Sequence, residues 1–251
     1  MSSPEPFQPD RRRITIGMGI IMLAAARRAH AQAQVPALSD SPPGSAIAPG
    51  WRHQTLPKVE RANEFALQTD NGETSVKVAS SSSASSWVAA VDIDASRTPV
   101  LRWRWKVSRS LPGSDLRRKA GDDYAARLYV FFDLPLERLS LGDRLRMQAA
   151  RLLSNVEVPA AALCYVWGSD QTVGSSAWNP YTDRVRMIVI DSGDRHAGQW
   201  RPVSRNVARD WADAFGGAVP RISGVAIGAD TDNTSETVTA WFGNLRFTRQ
   251  K

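Results

Sequence analysis

An all-β fold with minor helices, a β-sandwich or jelly roll of antiparallel sheets carrying two surface helices, is what this sequence predicts. Three observations carry that expectation. Short apolar runs rich in β-branched and aromatic residues recur along the chain, divided by turn-forming clusters such as Asp70-Asn71-Gly72 and Gly121-Asp122-Asp123. Residues 100–107 alternate strictly, with Leu101, Trp103, Trp105 and Val107 on one side and Arg102, Arg104 and Lys106 on the other. That is the period of a strand with one buried and one solvated face. Only residues 140–153 and 206–215 carry a helical pattern, too little for an α/β fold.

The chain has 251 residues, 42% hydrophobic and 23% charged, enough for one large domain with a sizeable core. Its formal net charge is +7. Arg11, Arg12, Arg13, Arg27 and Arg28 against Glu5 and Asp10 carry a net +3 of this, leaving +4 for the remainder. So mild and dispersed a charge excludes the clustered basic face that nucleic acid requires.

Residues 1–33 read as a cleaved signal peptide. Three arginines precede an uncharged run, residues 14–26, and small residues follow at Ala29, Ala31 and Ala33. The run is shorter than the roughly 20 apolar residues that span a bilayer, so the mature chain is expected to be periplasmic, without a membrane span. The arginines also fit a twin-arginine leader. Residues 34–50, rich in Pro, Ser, Gly and Ala, are expected to be a flexible arm, and residues 51–251 a single domain.

Within that domain, residues 65–69, 74–79 and 87–93 are expected strands, with the serine tract 80–86 as a loop. The tryptophans of residues 100–107 invite a sugar-stacking role, but their shared face with Leu101 and Val107 assigns them to the core. Residues 121–133 form a turn feeding a strand with apolar residues on both sides, hence a central strand covered on both faces. Arg127 and Tyr129 lie within it. A half-buried guanidinium needs a carboxylate or several carbonyls, and Asp122, Asp123 and the carboxylates near Asp230 are the candidates. Residues 140–153 read as a basic amphipathic helix from their Leu/Ala spacing and capping box. Residues 163–167 and 185–191 are strands joined by a polar loop, 168–182. Residues 206–215 form a helix closed by Gly216, and residues 222–247 form a terminal hairpin around the turn Asp230-Thr231-Asp232-Asn233.

Several chemistries are excluded by what is missing. One cysteine, Cys164, leaves no intramolecular disulfide and reads as a buried apolar residue. Beyond the leader only His53 and His196 remain, both in loop-like stretches, which argues against a Ser-His-Asp triad and against zinc. No nucleotide-binding glycine loop is present, so no such cofactor is expected. Asp230, Asp232 and Asn233 are hard oxygen ligands suited to calcium, or an Asx-rich turn pairing with Arg127. Asp230 with Asp122 could also act as the paired carboxylates of a glycosidase. The candidate polar site is therefore Asp122, Asp123, Arg127, Tyr129, Asp230, Asp232 and Asn233.

The ordered set Trp-Arg-Trp-Lys-Val at 103–107, GDDYAARLYVFFD at 121–133, CYVW at 164–167, WNPYT at 178–182, SRNVARDW at 204–211 and GVAIGADTDNT at 224–234 resembles a bacterial exported family, domain of unknown function 3047. The resemblance covers nearly all the chain after Trp51 and implies export and one β-rich domain. It implies no substrate, cofactor or catalytic residue. The strand pattern is also similar to jelly-roll carbohydrate-binding modules. The expected role is non-catalytic binding of a carbohydrate or cell-envelope glycan. The alternatives are a polysaccharide-acting enzyme using Asp, Arg and Tyr groups, or a periplasmic protein–protein interaction domain.

Overall fold

The computed structural model describes residues 33–56, 59–70, 72–134 and 161–250. The expected leader, most of it before residue 33, and the expected basic helix at 140–153 lie outside these residues. Thirteen strands are formed among them: β1 (Trp51–Thr55), β2 (Glu64–Asp70), β3 (Glu73–Ser81), β4 (Ala84–Ile93), β5 (Val100–Val107), β6 (Tyr124–Phe132), β7 (Ala161–Gly168), β8 (Ser176–Asn179), β9 (Thr182–Ser192), β10 (Arg201–Asn206), β11 (Ile222–Asp230), β12 (Thr237–Phe242) and β13 (Arg246–Thr248). One α-helix, α1 (Val207–Phe215), joins β10 to β11. Seven strands pair in the order β1-β4-β11-β6-β7-β9-β8, and a second sheet runs β10-β5-β12-β3-β2 with β13 beside β5. The fold is a two-sheet β-sandwich, as expected. All pairs are antiparallel except β7 and β9, which run parallel, so the larger sheet is mixed.

The alternation of β5 produces the sandwich. Leu101, Trp103, Trp105 and Val107 are buried between the sheets, where Trp103 packs on Tyr165 at 5.3 Å and Trp105 on Trp167 at 5.9 Å between ring centroids. The Trp105 indole donates to Asp191 Oδ2 at 2.8 Å, so its one polar atom is satisfied inside the core. A second apolar layer, including Tyr129, Phe131, Cys164, Val166 and Met187, covers the other face of the seven-stranded sheet. Every residue of β6 and β7 is consequently buried, which is the central strand covered on both faces that the sequence of β6 predicts.

Four local expectations give way. The segment before Trp51 is not a flexible arm: Val35, Leu38 and Ala48 are buried in the core. The Trp51 indole donates to Pro36 O at 3.0 Å, and Asn244 Oδ1 accepts the Leu38 N–H at 2.8 Å. Scattered apolar residues among prolines have no periodicity, so the sequence alone cannot place them. The loop at 168–182 contains a strand, β8, at the sheet edge.

The terminal hairpin is not a hairpin, because β11 and β12 belong to different sheets. The polar turn between them is a crossover running beside the β3–β4 connection. Ser82 N–H donates to Glu236 O at 2.9 Å, and Thr231 N–H to Ser83 O at 3.0 Å. The serine tract is therefore mostly strand ends and a tight corner, with Ser82 at φ 47°. The hydroxyls at the corner are used there: Ser80 Oγ lies 2.8 Å from Thr231 Oγ1, and Ser83 Oγ donates to Asn63 Oδ1 at 2.8 Å. Backbone groups leaving a sheet at a buried corner need such partners, and small hydroxyl residues supply them without bulk.

Candidate functional sites

Arg127 points from the middle of β6 away from the inter-sheet core. Its surroundings are set by an irregularity in pairing: Gly228 lies opposite Arg127, but Asp230 lies opposite Tyr124, so β6 carries one extra residue. The bulge brings the Tyr124 ring onto Arg127's face, 4.8 Å from the guanidinium carbon. Gly228 is required here, since a Cβ would meet Ser85 O at 2.6 Å. Arg127 Nη2 pairs with Asp230 Oδ2 at 2.9 Å and Asp122 Oδ1 at 3.2 Å, and it also donates to the Asp122 carbonyl. Nη1 donates to the Tyr129 hydroxyl at 3.1 Å. Asn179 Nδ2 donates to Asp122 Oδ2 at 3.0 Å, closing the network from β8.

Asp123 serves a different purpose. Oδ2 accepts Thr234 N–H at 2.7 Å and its hydroxyl at 2.6 Å, while Oδ1 accepts Asn233 Nδ2 at 3.0 Å. This carboxylate fixes the crossover from below. The structure thus brings Asp122, Arg127, Tyr129 and Asp230 into one buried network, and ties Asp123, Asn233 and Thr234 into an adjoining one.

Burial dominates the electrostatics. It pushes the Asp230 carboxyl well above the usual carboxylate range; Arg127 opposes this, and the neighbouring Asp232 reinforces it. Asp122 is also raised by burial, against the pull of Arg127 and Asn179. Burial alone would lower Arg127, but Asp122, Tyr129 and Asp230 together hold it above its ordinary value, so it stays charged. Burial pushes the Cys164 thiol beside this network up to about 12, leaving it inert. The oxygens of Asp123, Asp230 and Asp232 lie within 4.8 Å of one another. The acidic trio therefore includes Asp123 beside Asp230 and Asp232, and the adjoining Asn233 side chain donates through Nδ2 to Asp123. Asp123 in turn already accepts hydrogen bonds on both oxygens, which weakens it as a ligand.

Access is small. The recess over Arg127, walled by Leu56, Ser85, Ser86, Tyr129 and Asp230, holds about 10 Å³, room for a single water molecule. A hydrolase needs a sugar ring between its two carboxylates, whereas Asp122 and Asp230 converge on one guanidinium. His53, expected in a loop, lies on β1 with Nε2 2.9 Å from Ser85 Oγ. Ser85 is buried and its hydroxyl also accepts the Asn63 N–H at 2.7 Å, and no carboxylate bonds His53 among the described residues. The pair is structural.

A second constellation lies on the outer face of the smaller sheet. Register places Lys106 of β5 opposite Trp241 of β12, and Trp241 opposite Lys77 of β3. Trp200, just before β10, completes the row: Lys106 Nζ lies 5.0 Å from its ring centroid and 4.6 Å from that of Trp241. The Arg104 guanidinium stacks on Trp200 at 4.3 Å. Asp70, at the tip of β2, accepts from Lys106 Nζ at 2.7 Å and from the Trp200 indole at 2.8 Å. Those bonds, Lys106 first, hold its carboxyl below the usual range. Gly243 is the counterpart of Gly228: a Cβ there would meet Arg104 Cγ at 2.6 Å, so glycine lets that side chain lie across the break between β12 and β13. Sequence reasoning missed this row. Its signal was available in β12, where Trp241 is out of phase with buried Val238, Ala240 and Phe242.

Among solved structures, the chain is similar to the xyloglucanase domain of NopAA, a type three effector from Sinorhizobium fredii, in complex with cellobiose. That likeness has a TM-score of 0.44 at 9% identity, over 84% of this chain and 97% of that one. The Trichoderma harzianum endoglucanase 3 from family GH12 gives a TM-score of 0.44 at 8% identity, over 82% and 94%. The family 11 xylanase from Neocallimastix patriciarum gives 0.30 at 8%, over 85% and 95%. At such identities and TM-scores these likenesses bear on neither ligand nor chemistry. No curated protein matches the chain. Residues 49–246 match the family model described as protein of unknown function (DUF3047), and the chain belongs to that family.

Proposed function

We propose that this domain is a non-catalytic binding module for a glycan of the bacterial cell envelope, acting after export, and that the sugar lies on the outer face of the smaller sheet. The observation that carries this reading is the row Trp200, Lys106, Trp241 and Lys77 across neighbouring strands. Indole rings offer large, rigid, amphipathic surfaces whose negative faces attract the C–H bonds of a pyranose. Two rings with one strand between them are separated by about 10 Å, from the spacing of strands in a sheet, which suits alternate units of one extended chain. Both are half-buried, so they are already held in place and lose little freedom on binding. The enzyme alternative is disfavoured by the Arg127 network, whose carboxylates are paired and whose recess admits one water molecule.

Affinity electrophoresis through gels containing soluble polysaccharides tests the reading. The parent protein is expected to be retarded, and Trp200→Ala and Trp241→Ala to run unretarded while melting cooperatively. A parent protein that binds none of the polysaccharides, or variants that bind as it does, would refute it. Release of reducing ends by the parent protein, lost in Asp230→Asn, would favour the enzyme instead.

A further inference from the structure

We infer that the glycan is anionic and that its acidic groups are taken by Arg102 and Arg246; this rests on the glycan reading above. β13 pairs with β5 so that Arg246 lies directly opposite Arg102, while the next pair, Phe247 and Leu101, is buried. The two arginines therefore project together from the outer face, and both are exposed. Like charges directly opposite in an antiparallel pair destabilise a sheet. Two neighbouring cations on this face are neutralised: Arg104 pairs with Glu73 at 2.7 Å and Lys106 with Asp70 at 2.7 Å. Among the described residues, Arg102 and Arg246 have no carboxylate partner.

The two like charges gain no ion pair within the fold, which is the expected signature of a site whose counter-charge arrives with the ligand. Guanidinium groups suit this role because each offers a planar fork of donors that matches a carboxylate. On the other side of β5, exposed Ser204 lies opposite Arg102 and adds a hydroxyl. Arg102 stands four residues from Lys106 on the same face of β5, about 13 Å along a strand. The tryptophan row runs across the strands and the arginine pair lies along β5 from it, so an oligosaccharide seated on the row reaches the pair through a bend or a side branch. A uronic-acid polymer has the required chemistry: pyranose faces for the indoles and a regularly spaced carboxylate for the arginines.

The test compares polygalacturonic acid, its methyl ester and a neutral mixed-linkage β-glucan as ligands for the parent chain, Arg102→Gln, Arg246→Gln, the double variant and Trp200→Ala. Polygalacturonate is expected to bind more tightly than its methyl ester, with an advantage that declines as salt rises. Each arginine substitution should weaken polygalacturonate binding about fivefold, the upper range for an exposed ion pair, and leave the methyl ester's affinity unchanged. The double variant should melt no lower than the parent, because the like-charge pair is relieved. If the arginine variants bind polygalacturonate as the parent does while Trp200→Ala does not, the anionic inference fails and the glycan reading stands. If the parent binds none of the three ligands, or Trp200→Ala binds them unchanged, the glycan reading fails and the inference with it.

Discussion

Replacing Arg127 with methionine probes the network at its centre. The guanidinium, 4% exposed as a side chain, holds Asp230 at 2.9 Å and Asp122 at 3.2 Å. It also donates to the Tyr129 hydroxyl at 3.1 Å. Methionine fills much of the same volume but leaves two carboxylates buried without a cation. Breaking a buried pair from one side in this way costs about 3–5 kcal/mol. For a domain of this size, each kcal/mol lowers the melting temperature by about 2–4 °C, so a loss of roughly 6–20 °C is expected. Urea denaturation and thermal melting by circular dichroism both report it. The deficit should shrink toward acidic pH, where protonation removes the uncompensated charge. Asp122→Asn should cost less in the Arg127→Met background than in the parent, the coupling expected of groups in one network. An Arg127→Met variant within about 1 kcal/mol of the parent at neutral pH, a cost typical of ordinary substitutions, would refute the argument.

Three further outcomes follow from the same geometry. Because burial raises the native pKa of Asp230 above its unfolded value, the native state binds the proton more tightly. The resulting stability is full below the unfolded pKa of about 4 and is lost as pH rises through the native value. Melting curves taken across that range should slope downward for the parent and less steeply for Asp230→Asn; equal slopes would exclude Asp230 as the source. Trp105→Ala, at a core position with no exposure, should cost about 3–5 kcal/mol in urea denaturation, and a parent-like midpoint would return that indole to a binding role. Gly243→Ala should displace Arg104 from Trp200 and cost about 1–3 kcal/mol, as other added methyl groups do in tight sites. Loss of the Trp200 environment is readable by near-ultraviolet circular dichroism, and an unchanged spectrum would mean that Arg104 lies elsewhere.

Strand identity was legible in the sequence wherever alternation was strict. β5 states its two faces residue by residue, and the largely apolar composition of β6 states that it is covered on both sides. The cap and stop of α1 were equally local: Asn206 accepts the Arg209 N–H at 2.9 Å, and Gly216 adopts φ 73°. Period and capping are properties of a few neighbouring residues, so a sequence can display them. Arg127's need for acidic partners was also legible, because a charge within an apolar strand must be compensated whatever the fold.

Which partners it takes depended on tertiary structure. Asp122 is 5 residues away and Asp230 is 103, and only the pairing of β11 with a bulged β6 brings both to one guanidinium. The same holds for the stretch 222–247, which has the local signature of a hairpin. Its strands separate into two sheets because each has a better partner elsewhere, β4 and β6 for β11, β3 and β5 for β12. The row of Trp200, Lys106, Trp241 and Lys77 is drawn from four distant segments. Only Trp241 shows a local sign, its phase in β12, and the row exists only where register sets the strands side by side. A one-residue slip would turn Trp241 inward, so the sequence supplied the rings and the cations, and the hydrogen-bonded register of the sheet decided that they meet.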